Sequence, residues 1–163
     1  MLDLLSGTLD FGDGNGLHPD TTLEQFERMP VCRTLQLHRN PHVADLLSFH
    51  GWQEIAGSLT FKVALSFCAG GVDRLTMSLS NGPMSPFDWD RVTESLLKDE
   101  IRVLKGFVRS QLGRPADRST YPHAPAFGDI WVLPWGELSA HGEPRSFTSG
   151  IYLTPNHRIG KAY

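Results

Sequence analysis

Histidines are the residues of this chain best suited to hold a metal ion, and the sequence contains seven of them. His38, His42 and His50 lie closest together. Pro41 breaks any helix that would align His38 with His42, and the HExxH spacing of a zinc hydrolase is absent. We therefore expect no metal site and no cofactor.

The glycine-rich segment GDGNG, residues 12–16, is the next candidate for ion or phosphate binding. As a calcium loop it fails, because Phe11 stands where the first acidic ligand belongs and Thr22 where the bidentate Glu belongs. As a phosphate cradle it lacks a following GK[ST] and the GxGxxG pattern. We interpret the segment as a turn.

Ser149 and Glu100 are the residues that could carry acid–base or nucleophilic chemistry. Ser149 lies in TSG, which lacks the GxSxG elbow of a serine hydrolase. Glu100 falls among apolar residues of a helical pattern, where a carboxylate could act as an acid or base. The same Glu could instead lie at the helix rim or bond to an Arg or a Trp indole, and the sequence leaves both open.

The elements that would position these residues are clearest in a β-hairpin. SLTFKVALSFC, residues 58–68, and RLTMSLS, residues 74–80, alternate strictly between apolar and polar side chains. Such a period of two is typical of a sheet with one buried face and one wet face. The residues expected to point inward are Leu59, Phe61, Val63, Leu65, Phe67, Leu75, Met77 and Leu79.

A long amphipathic helix is predicted over residues 88–112, with Asp88 or Ser85 as its N-cap and Gly113 just after its end. Its broad apolar arc should pack on the apolar face of the sheet. The members of that arc are Trp89, Val92, Leu96, Leu97, Ile101, Val103, Leu104, Phe107 and Val108.

Weaker signals complete an α+β fold: a mostly antiparallel sheet, one long helix packed across one face, and a short N-terminal helix. That short helix should open at Thr21, with Glu24 completing a capping box. Further strands are predicted at residues 7–11, 33–39, 43–50, 129–139 and 146–154, with AHGEPR as the last turn.

Length and charge set the broad class. The 163 residues suit a single α+β domain covering residues 1–163, and a net charge of −3 argues against nucleic-acid binding. The N-terminus lacks a signal-peptide pattern and no apolar run approaches a membrane span. The two isolated cysteines fit reduced thiols, so we expect a cytoplasmic protein with no membrane partner.

Three segments together resemble a group of small bacterial proteins of largely unassigned biochemistry. They are the hairpin FKVALSFCAGGVDRLTMSL, the helix that ends QLG at Gly113, and FGDIWVLPWGELS followed by GIYL. Some members of that group are encoded beside polymorphic or secreted toxins as immunity proteins. The resemblance implies a bacterial protein that acts by binding, and it transfers no catalytic residues.

Our first functional hypothesis is therefore a non-enzymatic protein whose partner is another protein, plausibly a toxin domain that it neutralises by occlusion. The alternatives are a small-ligand binding module built on the Trp131/Trp135 hairpin, and a hydrolase-type enzyme centred on Glu100 or a histidine cluster. A partner should be met by residues that the core does not use, in GDGNG, in the loop 114–125 and in the turn 141–145. The candidate contacts are Asp13, Asn15, Asp117, Arg118, His141, Glu143 and Arg145.

Overall fold

A computed structural model describes residues 1–12, 14–86 and 88–161 of the chain. The expected α+β class is confirmed: within these ranges the chain forms a large antiparallel sheet, a small three-stranded sheet, one long helix and one short helix. The helices are α1 (Leu23–Glu27) and α2 (Glu94–Leu112). The strands of the small sheet are β1 (Leu2–Asp3), β2 (Thr8–Asp10) and β3 (Gly16–Leu17). The strands of the large sheet are β4 (Gln36–Arg39), β5 (Leu47–Ala56), β6 (Leu59–Cys68), β7 (Gly71–Leu79), β8 (Arg118–Ser119), β9 (Gly128–Leu133), β10 (Gly136–Glu143) and β11 (Thr148–Pro155).

The large sheet has eight strands in the order β4-β5-β6-β7-β11-β10-β9-β8. It is two antiparallel meanders, β4–β7 and β8–β11, joined where β7 meets β11. That junction is short, because β7 and β11 pair only at Leu75↔Leu153, Thr76↔Tyr152 and Met77↔Ile151. Beyond Met77 the two strands do not pair with each other.

The β6–β7 hairpin has the faces that its alternation predicts. Phe61 and Met77 are fully buried, while Lys62 on the opposite face is exposed. A register shift after Ser66 lets both Val72 and Asp73 be buried, and Asp73 then pairs with Arg158 at 2.7 Å. The inner face of the hairpin lies in the main core.

Helix α2 begins six residues later than the predicted start at Asp88. Thr93 is its N-cap, with an extended backbone and a side chain that accepts a hydrogen bond from the Leu96 amide. The preceding residues form turns, so Trp89 lies outside the helix and is 66 % exposed. The predicted end is confirmed, because Gly113 adopts the left-handed conformation that closes a helix.

The buried side of α2 packs on the inner face of the large sheet, against β9, β10 and β11. Leu104 and Val108 join the main core, and the Phe107 ring lies 5.1 Å from that of Phe61. Leu97 and Ile101 form a second cluster with Met84. The predicted packing of the helix across the sheet is therefore present.

Helix α1 is capped one residue later than predicted. Thr22, rather than Thr21, accepts from the Gln25 amide, and the Gln25 side chain accepts from the Thr22 amide. Gln25 therefore fills the capping-box position expected for Glu24. The helix places Phe26 in the core against the rings of Phe49 and Phe67.

Several predicted strand boundaries were wrong. Of the strand predicted at 33–39, only β4 is extended, because residues 33 and 34 end a 3-10 helix, Pro30–Thr34. The strand expected at 43–50 begins at Leu47 and continues through a bulge at Gly51, whose φ is +117°. The strand expected at 7–11 is the shorter β2.

The segment 129–139 forms two strands rather than one. Pro134 and Trp135 are the turn between β9 and β10, where Leu133 pairs with Gly136. Proline has no amide to donate to a ladder, which explains the break. Gly136 is needed because a Cβ there would lie 2.1 Å from the Thr154 carbonyl oxygen.

Candidate binding surface

An extended and partly exposed feature of the structure is the outer face of the large sheet, opposite α2. Directly opposed residues in antiparallel strands point to the same face. One continuous cross-strand row on this face runs through all eight strands, and every member is at least partly exposed. From edge to edge the row contains Gln36, His50, Ala64, Thr76, Tyr152, Ser139, Ile130 and Arg118.

Tyr152 is the centre of this outer face. The His141 ring stacks on it at 4.3 Å, and the Arg74 guanidinium lies 5.9 Å from its ring centroid. The Ser139 hydroxyl and His141 Nδ1 are 3.1 Å apart, which holds the imidazole in place. We call Arg74, Ser139, His141 and Tyr152 the central cluster.

Burial and neighbouring charges shift the pKa values of two members of the central cluster, His141 and Tyr152. Burial lowers the pKa of His141, and the Arg74 charge lowers it further, while Glu143 opposes both. Burial also raises the pKa of Tyr152. At neutral pH His141 is therefore neutral. Arg74 Nε is buried and has no hydrogen-bond partner among the described residues.

The expected contacts Asp117 and Arg118 lie at the β8 edge of the same sheet. Asp117 accepts hydrogen bonds from the Val132 amide at 2.7 Å and from Arg114 at 2.9 Å. These two interactions, the first foremost, lower its pKa. Arg118 pairs with Glu137 of β10. The two residues are thus held in place at the rim of the outer face.

The predicted turn 141–145 is wrong in part, because β10 continues to Glu143. His141 and Glu143 are strand residues opposite Gly150 and Thr148, so they share the outer face with Tyr152. Side chains two residues apart in a strand point to the same face, so His141 and Glu143 both point outward with Ser139. Arg145 alone of the expected contacts here lies in the turn, where its amide donates to Glu143 at 2.9 Å.

One expected contact, Asn15, is not on this surface. Asn15 lies in the turn between β2 and β3 of the small sheet. Asp13 lies outside the described residues. The structure thus brings Arg118, His141 and Glu143 onto one face, with Asp117 and Arg145 at its margins.

In the Trp131/Trp135 hairpin the two indoles lie in different environments. Trp131 is fully buried on the inner face, and its indole donates to the Arg114 carbonyl at 3.3 Å. Trp135 covers the N-terminal segment, donating to the carbonyls of Leu4 at 3.3 Å and Leu5 at 3.1 Å. The two indoles serve packing on different partners.

The histidines expected to be closest form only a pair. The rings of His38 and His50 are 4.7 Å apart on β4 and β5, and burial with the nearby His38 lowers the pKa of His50. Over the described ranges no group of three or more His, Cys, Asp or Glu could hold a metal ion.

Glu100 and Ser149 meet on the covered side of the sheet. The Ser149 hydroxyl donates to Glu100 Oε1, and the Met84 amide donates to Glu100 Oε2 at 2.9 Å. Glu100 is 4 % exposed. Neither the helix rim nor the Arg or indole partner that the sequence suggested is realised.

This carboxylate borders a cleft of about 540 Å³ where β7 and β11 separate. Trp89 and Phe147 form part of the wall, with ring centroids 6.4 Å apart and nearly perpendicular planes. Lys62 also borders the cleft, from the outer face of the sheet. We call this space the β7–β11 cleft.

Comparison with known protein families, with curated proteins and with solved structures finds no match for this chain. Among the described helices none is both long and apolar enough to cross a bilayer.

Of the central cluster, the sequence predicted only His141 as a binding residue. The alternation of the β6–β7 hairpin also places Arg74 and Thr76 on the polar face. Nothing local places Tyr152 beside Thr76, because that contact depends on the pairing of β7 with β11. Strand order is therefore the missing information.

Proposed function

We propose that the protein is a non-enzymatic, cytoplasmic bacterial protein that binds another protein, and that it acts as an immunity protein by occluding a toxin. The observation that carries the proposal is the outer face of the large sheet with its central cluster. A surface of this kind can cover a partner's working site without any chemistry of its own.

The composition of the central cluster supports protein binding. Tyr and Arg are enriched among the residues that contribute most to interface energy. Here Tyr152 is held between His141 and Arg74, so little side-chain entropy remains to be lost on association.

Charge supports a partner that carries a carboxylate opposite the cluster. Arg74 and Lys62 lie on the outer face, and neither forms an ion pair with any described residue. An acidic side chain of the toxin would balance this positive charge.

The first experiment is rescue of cells from the toxin encoded beside this gene. Co-expression of the parent should protect. Thr76→Arg should abolish protection, because it places a long charged side chain beside Tyr152 in the middle of the cross-strand row on the outer face. Arg118→Glu and Arg145→Glu, at the rim, should weaken it.

Arg102→Glu is the matched control, since Arg102 is exposed on α2, the helix on the other side of the sheet. It should protect like the parent. Circular dichroism must show that Thr76→Arg keeps the parent's fold. Full protection by folded Thr76→Arg would place the interface elsewhere. If the parent protects against no toxin encoded nearby, the immunity function is wrong.

A further inference from the structure

We propose that the β7–β11 cleft binds a guanidinium group, with Glu100 as its counter-charge and Trp89 as its stacking surface. In its natural setting the group is an arginine side chain of the bound protein, so this part of the inference rests on the proposed function. The cleft itself can be tested without that partner.

Glu100 is a buried carboxylate without a positive partner. It forms no ion pair with any described residue. The two groups that donate hydrogen bonds to it, the Ser149 hydroxyl and the Met84 backbone amide, are neutral. Burying a charge without a counter-charge is costly, and an apolar residue would continue the helical arc at this position. A cation that enters the cleft would supply the missing charge.

The hydrogen bonds already present leave room for a planar cation. Each Glu100 oxygen accepts one bond from the protein, and a carboxylate oxygen has lone pairs for a second. Guanidinium can donate to both oxygens in a bidentate arrangement, which a single ammonium cannot match.

The walls of the cleft favour the same group. Trp89 is 66 % exposed although it contacts Phe147, so an aromatic surface remains open at the mouth. Guanidinium stacks well on indole, and its weak hydration makes entry less costly than for ammonium. The absence of β7–β11 pairing beyond Met77 provides the opening.

Lys62 at the mouth of the cleft helps to distinguish two sources of the guanidinium group. Its ammonium repels a bare cation but attracts an anion attached to the same ligand. Free L-arginine carries such a carboxylate, whereas an arginine within a protein does not. Comparing the two distinguishes a metabolite from a protein side chain as the source.

The experiment is an NMR titration of the isolated protein, observing the Trp89 indole resonance, which is assigned with Trp89→Leu. Nα-acetyl-arginine-methylamide should shift this resonance saturably, while the capped forms of lysine and citrulline should bind at least tenfold more weakly. Glu100→Gln should weaken capped arginine at least tenfold. Glu94→Gln, at an exposed position of the same helix, should leave it unchanged.

Trp89→Leu keeps the inference testable if Glu100→Gln unfolds, because Trp89 is exposed and lies outside α2. In that variant the titration is followed at the Ser149 amide, and affinity should again fall. Equal affinity for free and capped arginine supports a protein side chain as the natural source of the guanidinium group. Tighter binding of free arginine, lost in Lys62→Met, supports a metabolite as the source.

No saturable shift with either arginine probe would overturn the site, as would binding that is indifferent to Glu100→Gln in a folded protein. Both results are independent of rescue. Arginine binding with no rescue would leave the cleft assigned and remove the immunity function. Rescue without arginine binding would support the immunity function and remove the cleft as a guanidinium site.

Discussion

His141 stacks on the Tyr152 ring on the outer face of the large sheet, near enough to the Arg74 guanidinium to be affected by its charge. Burial and Arg74 lower its pKa, and the opposing Glu143 does not cancel them. His50, on the same face, is also shifted downward by burial and by His38. Both imidazoles are therefore harder to protonate in the folded chain than in the unfolded chain, whose ordinary value is about 6.5.

These shifts predict that stability falls in mild acid. The unfolded state takes up protons first, so the stabilising contribution is complete above about pH 6.5 and is lost as the pH falls below that value. The melting temperature should therefore decrease between about pH 7 and pH 5, as followed by circular dichroism. His141→Phe keeps a ring on Tyr152 and should flatten this dependence.

His123→Phe is the control, because His123 is exposed in the loop before β9. It should retain the parent's pH dependence. A parent whose melting temperature rises on acidification in this range would show that the direction of these shifts is wrong.

At the level of secondary-structure elements, α2 reaches the β6–β7 hairpin through the contact of Phe107 with Phe61. The Phe61 and Phe107 rings touch, but only Phe61 is fully buried, whereas Phe107 is partly exposed. From the sequence pattern alone, replacing either ring by alanine would be expected to lower the free energy of unfolding equally, since both residues lie on apolar faces. The structure makes them unequal, because the rim of the helix arc remains open to water.

Phe61→Ala should lower the free energy of unfolding by about 3–5 kcal/mol, as expected when a large buried ring leaves a cavity. Phe107→Ala should cost distinctly less, since part of its ring is already solvated. Urea denaturation with an unchanged m-value would measure both. Equal losses, or a Phe61→Ala variant as stable as the parent, would contradict this packing.

Across the whole molecule, Trp135 links the N-terminal segment to the C-terminal half of the large sheet. It lies in the β9–β10 turn and bonds to the carbonyls of Leu4 and Leu5. Gly7 allows this approach, because a Cβ there would lie 2.7 Å from the indole. The N-terminal segment is thereby fixed against the C-terminal half of the large sheet.

Trp135→Phe should loosen that segment selectively. A phenyl ring keeps apolar contact but loses the indole donor, so amide hydrogen exchange should become faster within residues 1–9. Protection in α2 should be unchanged. Val132→Ala, at an exposed position of the adjoining strand, should alter neither region. Slow exchange in the N-terminal segment of Trp135→Phe would show that the two hydrogen bonds do not hold it.

The features that could be predicted from the amino-acid sequence are those that short-range geometry controls. The alternation in β6 and β7 identified their inner faces, and the apolar arc with Gly113 located most of α2 and its end. The start of α2 was predicted wrongly, because Asp88 and Thr93 are both good N-caps and only packing chooses between them. The prediction also joined β9 and β10 into one strand, although Pro134 marks the break.

Which residues share a surface depends on the tertiary structure. Arg118, His141 and Tyr152 are far from Thr76 in the chain, and they meet on one face because β7 pairs with β11. Glu100 and Ser149 were each noticed in the sequence, but their contact depends on α2 crossing beneath β11. Such pairings are selected by burial of the whole apolar face, to which every strand contributes, and so no local pattern records them.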